Sequence, residues 1–408
     1  MSLYLIAILL IVIFDFLWSQ YLSYRNRKRM SPEIPSQLEG IYDEEEYAKQ
    51  QAYQKVNSRF GIYASLFSFI ILLAALLFGI FGRLDVFLRQ CMDNEVILAL
   101  AFFGVIYFVN DIISLPFDYY TTFVIEERFG FNKSTKKIFW IDHLKGLLLA
   151  VILGGTILAL IVWLYGTLGE YAWLYAWAAI TIFSLVMTLF YSNIIVPLFN
   201  KQTPLEAGEL RNAIEAFAQK AGFGVNNIYV MDASKRSTKA NAYFTGFGTK
   251  KRIVLFDTLI NDLDTGEIVA VLAHEIGHYK KKHTLQGVFI SICYTGVMLF
   301  LLSRFLDNED IAIALGGKTA SFHLGLIAFS VLFTPISLII GALSSILSRK
   351  NEYQADAYAA GFGLADLLIS GLKKLSVKAL SNLNPDPLYV FFHYSHPTLL
   401  QRMEALKK

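Results

Sequence analysis

Val271-Leu272-Ala273-His274-Glu275-Ile276-Gly277-His278-Tyr279 is the stretch around which the fold of the chain is organised. Apolar residues and good helix formers precede it, so a helix is predicted over 267–283. On an α-helix, His274 and His278 lie one turn apart on the same face, where their nitrogens can bind one zinc ion. Glu275 lies beside that face and can act as a general base toward water at the metal. The alternative is a pair of ordinary helix histidines near a membrane surface.

A second stretch, Asn351-Glu352-Tyr353-Gln354-Ala355-Asp356, offers the remaining metal ligand on a helix predicted to reach about Ala360. Glu352 is predicted to be the third zinc ligand, because two histidines and one glutamate leave a fourth position open in catalytic zinc sites. Asp356 lies one turn later and can accept a hydrogen bond from the free ring N–H of a ligating histidine, which fixes its tautomer. The alternative for both carboxylates is a solvated, charged face at the membrane exit.

Two residues near the C-terminus are candidates for stabilising the transition state. His396 precedes Pro397, which holds it in an extended or turn conformation, so it can donate a hydrogen bond to a tetrahedral oxyanion. Arg402 can add positive charge at the same place. The alternative is a helix that begins with Pro397 at its first position and leaves Arg402 in solvent. His283, in contrast, has no clear zinc role in the sequence.

Residues 198–284 form the one long soluble-looking stretch before the last apolar segments. An amphipathic helix is predicted over 204–222, followed by strand-like runs at 227–231, 241–247 and 252–256. The second run contains Asn241-Ala242-Tyr243-Phe244. A strand beside a peptidase site can pair with an extended substrate, so Asn241 and Tyr243 are candidate substrate-binding residues. The alternative is that they are ordinary strand residues.

The composition of the chain is that of a membrane protein. It has 408 residues, 55% hydrophobic and 17% charged, with a mean hydropathy of +0.48. Segments of about 20 apolar residues are long enough to cross a bilayer. Seven such segments are predicted, at 3–22, 60–81, 96–117, 144–165, 171–197, 285–303 and 323–347. Pro197 and Pro335 predict kinks or partial exits in the fifth and seventh.

Charge bias predicts the orientation of these segments. A basic cluster directly follows the first one: Arg25, Arg27, Lys28 and Arg29. Such clusters stay in the cytoplasm, so the N-terminus points outward and alternation places four regions inside. These regions are 23–59, 118–143, 198–284 and 348–408. The H-E-x-x-H helix therefore falls on the cytoplasmic side.

Other compositional features exclude some classes of function. The net charge of +3 is too small to indicate nucleic-acid binding, and the basic clusters fit topology signals near anionic lipid. Cys91 and Cys293 provide neither a disulfide framework nor a cysteine metal site. The predicted fold class is an all-α multi-pass membrane protein with a small α+β zinc-metallopeptidase domain. Residues 1–197 are the five-span membrane domain, and 198–408 are the metallopeptidase domain with the last two spans.

Taken together, these motifs resemble the CAAX prenyl protease 1 family over nearly the whole chain. The resemblance rests on the two ligand stretches above and on Phe123–Lys133, Ser234–Ser237, Asn241–Phe244, Arg252–Leu259 and Ser395–Pro397. It implies seven helices that enclose a chamber in the membrane, with one Zn²⁺ bound by His274, His278 and Glu352, and with Glu275 as base. It also implies supporting roles for Asn241, His396 and Arg402.

The reaction implied by the resemblance is cleavage after the prenylated cysteine of a C-terminal CAAX motif, releasing the last three residues. The partners are then a peptide or protein substrate, prenylated in that case, and the lipid bilayer, with no nucleic acid. The chain departs from the family pattern in its short outer loop at 304–322 and in the lack of a C-terminal retrieval signal. This departure leaves open a bacterial member in the inner membrane, rather than an endoplasmic reticulum protein, whose substrates need not be prenylated.

Two other functions remain open at this level. One is a quality-control endopeptidase that uses the same site on misfolded or stalled membrane chains. The other is a seven-helix transporter whose H-E-x-x-H is incidental. A transporter needs polar groups within its spans, and the few candidates are Asp15, Asn110, Asp111 and Asp142.

Overall fold

The computed structural model describes residues 2–224, 227–245, 252–306 and 308–408, and most of these residues are helical. In the described residues of the N-terminal half there are eight α-helices: α1 (Leu3–Lys28), α2 (Glu44–Leu77), α3 (Ile80–Arg89), α4 (Glu95–Tyr120), α5 (Lys136–Leu149), α6 (Gly155–Leu168), α7 (Ala172–Phe190) and α8 (Val196–Phe199). Single π-helical turns extend or join them at Thr121–Glu126, Ala150–Gly154 and Tyr191–Ile195.

The C-terminal half carries four short strands and ten further helices. The strands are β1 (Gln202–Pro204), β2 (Ile228–Met231), β3 (Ala242–Thr245) and β4 (Arg252–Phe256). The helices are α9 (Glu209–Lys220), α10 (Asp257–Asp262), α11 (Thr265–Lys280), α12 (His283–Ser303), α13 (Glu309–Ala314), α14 (Phe322–Leu332), α15 (Thr334–Ala360), α16 (Ala365–Lys378), α17 (Pro387–His393) and α18 (Leu399–Leu406).

The apolar helices have the length and exposure of membrane spans. Within the described residues, five helical runs are long and apolar enough to cross a bilayer, and the bent pair α14–α15 makes a sixth. In the five runs, only 6–17% of the most apolar window is buried inside the protein. Their large apolar side chains therefore point outward, where lipid would cover them. The chain is an integral membrane protein.

The fourth of these runs, Lys136–Phe199, has 64 residues and folds back on itself. The turn is at Gly169, whose φ of +54° belongs to the left-handed region that favours glycine. On either side of this turn α6 and α7 pack against each other. The run thus contains both the fourth and the fifth predicted segments. All seven predicted segments fall in the apolar helices, although α2 ends at Leu77, earlier than predicted.

The last span is bent, as its proline predicted. The axes of α14 and α15 differ by 56° across Phe333. Pro335 lies in the first turn of α15, where its missing N–H breaks no helix hydrogen bond. From there α15 runs without interruption to Ala360, so the final membrane span and the helix that carries Glu352 and Asp356 are one element.

The small sheet is mixed, in the order β1-β2-β4-β3. β2 and β4 are parallel, and β3 pairs with β4 in antiparallel register. The second and third predicted strands begin within one residue of β3 and β4, but residues 246 and 247 lie outside the described part of the chain. The helix predicted at 204–222 begins later, at Glu209, because Pro204 belongs to β1, which was not predicted.

The metal-motif helix α11 lies between the sheet and α15, which packs along it. Asp264 and Glu267 form a capping box at its first turn, which satisfies backbone N–H groups that have no helical partner there. Glu267 is buried and is bound from α16 by Ser370 at 2.6 Å and Lys374 at 2.8 Å. These contacts fix the start of α11, so its last two turns, with both histidines, are held against α15.

Candidate metal centre and active site

Three side chains from α11 and α15 converge on one point. The available ligand atoms of His274, His278 and Glu352 all lie within 4.8 Å of one another. His274 Nε2 is 3.5 Å from Glu352 Oε2, and His278 Nε2 is 3.3 Å from Glu352 Oε1. The two Nε2 atoms are 3.1 Å apart. The structure therefore brings together the three residues that the sequence predicts as metal ligands.

The donor set fits a divalent metal with an open position. Glu352 is buried, and its Oε2 atom has no hydrogen-bond partner among the described residues. A buried carboxylate oxygen without a partner is costly, and a cation satisfies it. Burial by itself raises the pKa of Glu352. The nearby His278 and the positive groups around the site outweigh burial and hold the pKa of Glu352 below its ordinary value. A lowered pKa favours the carboxylate form, which is the form that binds a cation.

His274 is oriented by a buried pair of charged residues. Its Nδ1 lies 2.8 Å from Asp356 Oδ1. Arg402 donates to both oxygens of Asp356, from Nε at 2.8 Å and from Nη2 at 2.6 Å. Since the carboxylate accepts the Nδ1–H of His274, the Nε2 lone pair is free to face Glu352 and the metal position. This is the hydrogen bond predicted for Asp356.

Arg402 lies beside the candidate metal centre and lines its cavity. It is buried rather than solvated, and it binds Asp356 bidentately. Its Nη1 is 3.7 Å from Glu352 Oε2. The helix that carries it begins at Leu399 with Thr398 as its cap, so Pro397 precedes the helix and is not its first residue. A main role in fixing Asp356 fits this geometry better than direct contact with an oxyanion.

His396 lies at the exposed rim of the same centre. Its Nε2 is 3.4 Å from Glu352 Oε1, while 64% of its side chain remains accessible. Ser395 Oγ lies 2.9 Å from the other ring nitrogen, Nδ1. A side chain at the mouth of the site with one nitrogen directed inward can reach a substrate, as the oxyanion prediction requires.

The site opens into a cavity of about 920 Å³. Glu275, His396 and Asn241 line it, and so do residues of the two flanking spans, α12 and α15. Burial raises the pKa of Glu275 above its ordinary value. A carboxylate with a raised pKa beside a metal site is suited to take up and release a proton.

Among the described strands, β3 lies at the edge of the sheet, along this cavity. Asn241 O accepts the N–H of Phe256 at 3.0 Å, so the backbone groups of Ala242 and Phe244 face away from β4. Ala242 and Phe244 also line the cavity. Asn241 Oδ1 accepts the N–H of Ala242 at 2.8 Å, which holds its amide at the edge of the strand. Asn241 is therefore placed where an extended peptide would pair.

Tyr243 does not share this position. Its hydroxyl lies 3.3 Å from Ser192 Oγ and accepts from Gln202 Nε2 at 3.3 Å. It lines a second cavity, of about 840 Å³, whose wall also includes Phe244. The Tyr243 side chain therefore points away from the metal centre, and its part in substrate binding stays a prediction.

The sequence interpretation missed His283. This buried residue begins α12, and its Nδ1 is 3.0 Å from Nδ1 of His278. Its Nε2 is 3.0 Å from Gln354 Oε1 on α15. Both histidines of the candidate metal site therefore have a polar partner on the nitrogen that faces away from the site.

Comparison with known families gives two adjoining matches. Residues 23–201 match a family model described as CAAX prenyl protease N-terminal, five membrane helices. Residues 204–408 match the model of peptidase family M48.

Similar proteins cover almost the whole chain. The chain is 37% identical to CAAX prenyl protease 1 of Saccharomyces cerevisiae, over 96% of this chain and 92% of that protein. It is 32% identical to the human CAAX prenyl protease 1 homolog, over 98% and 94%. Among solved structures, the crystal structure of S. mikatae Ste24p superposes with a TM-score of 0.95 at 35% identity and covers all of both chains.

Proposed function

This chain belongs to peptidase family M48, among its CAAX prenyl protease 1 members, and from that premise we propose that it removes the last three residues of prenylated CAAX proteins. It is a membrane metalloendopeptidase. The observation that carries the proposal is the set of His274, His278 and Glu352, of which His274 and Glu352 are buried, beside Glu275 and open to a cavity between membrane helices.

We propose that His274, His278 and Glu352 hold one zinc ion. When bound, zinc would act as a Lewis acid on the scissile carbonyl and would acidify a water molecule. The chain's own residues do the rest. Glu275 takes the proton from the attacking water and returns it to the leaving amine. Asp356 keeps the Nδ1–H tautomer of His274, so that Nε2 stays available as a ligand.

We propose that the substrate lies extended along the free edge of β3. Its backbone would pair with the outward-facing C=O of Ala242 and with the backbone of Phe244. The Asn241 NH₂ group, whose Oδ1 partner already accepts the N–H of Ala242, would donate to an adjacent peptide group. His396 would donate a hydrogen bond from Nε2 to the oxyanion as negative charge develops there. This places the reacting peptide bond between the strand edge and the ligand helix.

An isoprenoid on the substrate would occupy the membrane side of the cavity. Apolar residues of the two flanking spans line that side, namely Ile290, Ile340 and Leu347. An apolar chain bound there is removed from water, and it orients the cysteine toward the zinc ligands. The quality-control and transporter functions are not favoured, because neither explains the match to CAAX prenyl proteases over both halves of the chain.

The test is cleavage of a farnesylated CAAX peptide by the purified chain. Product mass should show release of the last three residues, with a much slower reaction on the same peptide without the farnesyl group. Glu275→Gln keeps the shape of the side chain but removes the base, so the rate should fall by about 10²–10⁴-fold with zinc still bound. Equal cleavage of unfolded membrane chains and farnesylated peptide would instead support the quality-control function.

We further propose that the site is reached from the cytoplasm, with residues 1–197 as the membrane domain and 198–408 as the peptidase domain. The membrane is the inner membrane in a bacterium and the endoplasmic reticulum in a eukaryote. Lys281→Cys and Lys407→Cys, made without the native cysteines, should react with an impermeant thiol reagent only from the cytoplasmic side. Cys91 is exposed after α3 and should react only from the opposite side. Labelling of 281 and 407 from different sides would refute the topology.

A further inference from the structure

The two ligand histidines have different partners on their outer nitrogens. His274 Nδ1 meets the carboxylate of Asp356, which Arg402 holds in place. Among the described residues, the partner of His278 Nδ1 is the ring of His283 at 3.0 Å, which in turn meets the neutral amide of Gln354 at 3.0 Å. A ligand histidine must present a bare nitrogen to the metal, so something must place its proton on the other nitrogen.

The direction of the hydrogen bonds from Gln354 through His283 to His278 determines which nitrogen of His278 carries the proton. Gln354 Oε1 is an acceptor, so His283 donates from Nε2. A neutral His283 with hydrogen on Nε2 has a bare Nδ1, which then accepts the Nδ1–H of His278. His278 Nε2 is left with a free lone pair, 3.3 Å from Glu352 Oε1. With the Gln354 amide reversed, every bond would reverse and His278 would carry its proton on Nε2, toward the metal.

The local backbone places His283 for this role. α11 ends at Lys280, and Lys282 has a φ of +62°, a left-handed conformation uncommon for a residue with a side chain. The chain turns back there, so the first residue of α12 lies beside the last turn of α11. His283 lines the cavity but is only 8% exposed. This burial shields its two hydrogen bonds from competing water.

We propose that His283 and Gln354 are positioning residues that hold His278 in the tautomer competent to bind zinc, with the Gln354 carbonyl setting the direction. The inference rests on the proposed zinc site. Neither residue touches the metal position, and both act through His278. Loss of such an outer partner typically costs 10–100-fold in metal affinity. We expect about 10-fold here, because the acceptor is a neutral ring rather than a carboxylate.

The test is zinc affinity, measured by chelator competition on the purified full-length chain. His283→Phe and Gln354→Met remove the hydrogen bonds at similar size, so the Kd for zinc should rise about 10-fold. Gln354→Glu keeps an acceptor and cannot donate when ionised, so it should bind zinc within about twofold of the wild type, or more tightly. If Gln354 served only to fill space, Gln354→Glu would bind zinc more weakly than Gln354→Met, because Glu adds a partly buried charge while Met does not.

Two controls separate the outcomes. The zinc-free thermal midpoint of each variant should match that of the wild type, which excludes a general folding defect. If the wild type bound zinc tightly and Gln354→Met bound it equally well, the positioning role of Gln354 would be overturned while the proposed zinc site would stand. Weaker binding in Gln354→Glu than in Gln354→Met would overturn it as well. Failure of the wild type to bind zinc would overturn the proposed function and this inference with it.

Discussion

Gly277→Ala tests whether the close approach of α11 and α15 sets the metal geometry. A Cβ atom at Gly277 would lie 3.0 Å from Ala355 Cα, 3.1 Å from Ala355 O and 3.1 Å from Tyr358 Cβ. These are backbone and Cβ atoms, which cannot rotate away as the end of a flexible side chain can. The two helices must therefore separate by a few tenths of an ångström.

Two opposing terms determine the effect on stability. Adding a methyl group to a tightly packed contact costs roughly 1–3 kcal/mol. Replacing a helix-interior glycine by alanine gains about 1 kcal/mol. The net expectation is destabilisation by about 0–2 kcal/mol, which is small.

The effect on zinc should be larger than the effect on stability. Gly277 directly precedes the ligand His278, and Ala355 directly precedes Asp356, the partner of His274. Metal–ligand distances tolerate deviations of about 0.2 Å, so the separation displaces ligands on both helices beyond that limit. We expect zinc affinity to fall by about 10–100-fold, the scale seen when an outer partner of a ligand is lost.

The assay combines chelator competition with thermal unfolding, and Gly266→Ala is the matched control. Gly266 lies in the first turn of the same helix, where a Cβ would meet only the flexible side chain of Leu367, at 3.4 Å. That variant should keep the zinc affinity of the wild type. If Gly277→Ala bound zinc as tightly as the wild type and unfolded at a higher temperature, helix propensity alone would govern this position and the packing argument would be refuted.

Three further predictions concern individual side chains. Glu352→Ala should weaken zinc binding more than Asp356→Ala, for which we expect a loss of about 10–100-fold; the reverse order in a chelator titration would exchange their roles. His396→Ala should lower kcat more than it raises KM, because an oxyanion exists only in the transition state, and an effect on KM alone would indicate substrate binding instead. Asn241→Ala should raise KM, whereas Tyr243→Phe should leave KM unchanged, since the Tyr243 hydroxyl faces Ser192 and Gln202 on the other side of the strand; equal effects in steady-state kinetics would count against the proposed substrate path.

Local spacing explains why the metal residues were predictable. His274 and His278 share a face of any continuous helix, whatever surrounds them. Glu352 and Asp356 are also four residues apart, so one helix presents both to a common partner. The apolar spans were predictable for a similar reason, since length and composition alone decide whether a segment can cross a bilayer. None of these features depends on how distant parts of the chain meet.

The residues that were missed or misplaced depend on breaks in regular structure. In the continuous helix predicted over 267–283, His283 would lie about 140° around the axis from His278 and could not contact it. The left-handed Lys282 ends that continuity, and no sequence pattern marks it. Asn241 lies just before β3, which begins at Ala242, and its side-chain oxygen accepts the N–H of Ala242, a local contact that strand periodicity does not predict.

The placement of the site has a mechanical consequence for the membrane part of the protein. α15 begins at Thr334, immediately after the 56° bend, and carries Glu352 about 27 Å farther along its axis, at 1.5 Å per residue. A tilt of only about 1° at the bend would move Glu352 by about 0.5 Å, which exceeds the tolerance of a metal ligand. The bend alone therefore cannot keep Glu352 within that tolerance. Contacts near the site must do so, and these are the Gly277–Ala355 approach and the Arg402–Asp356 pair.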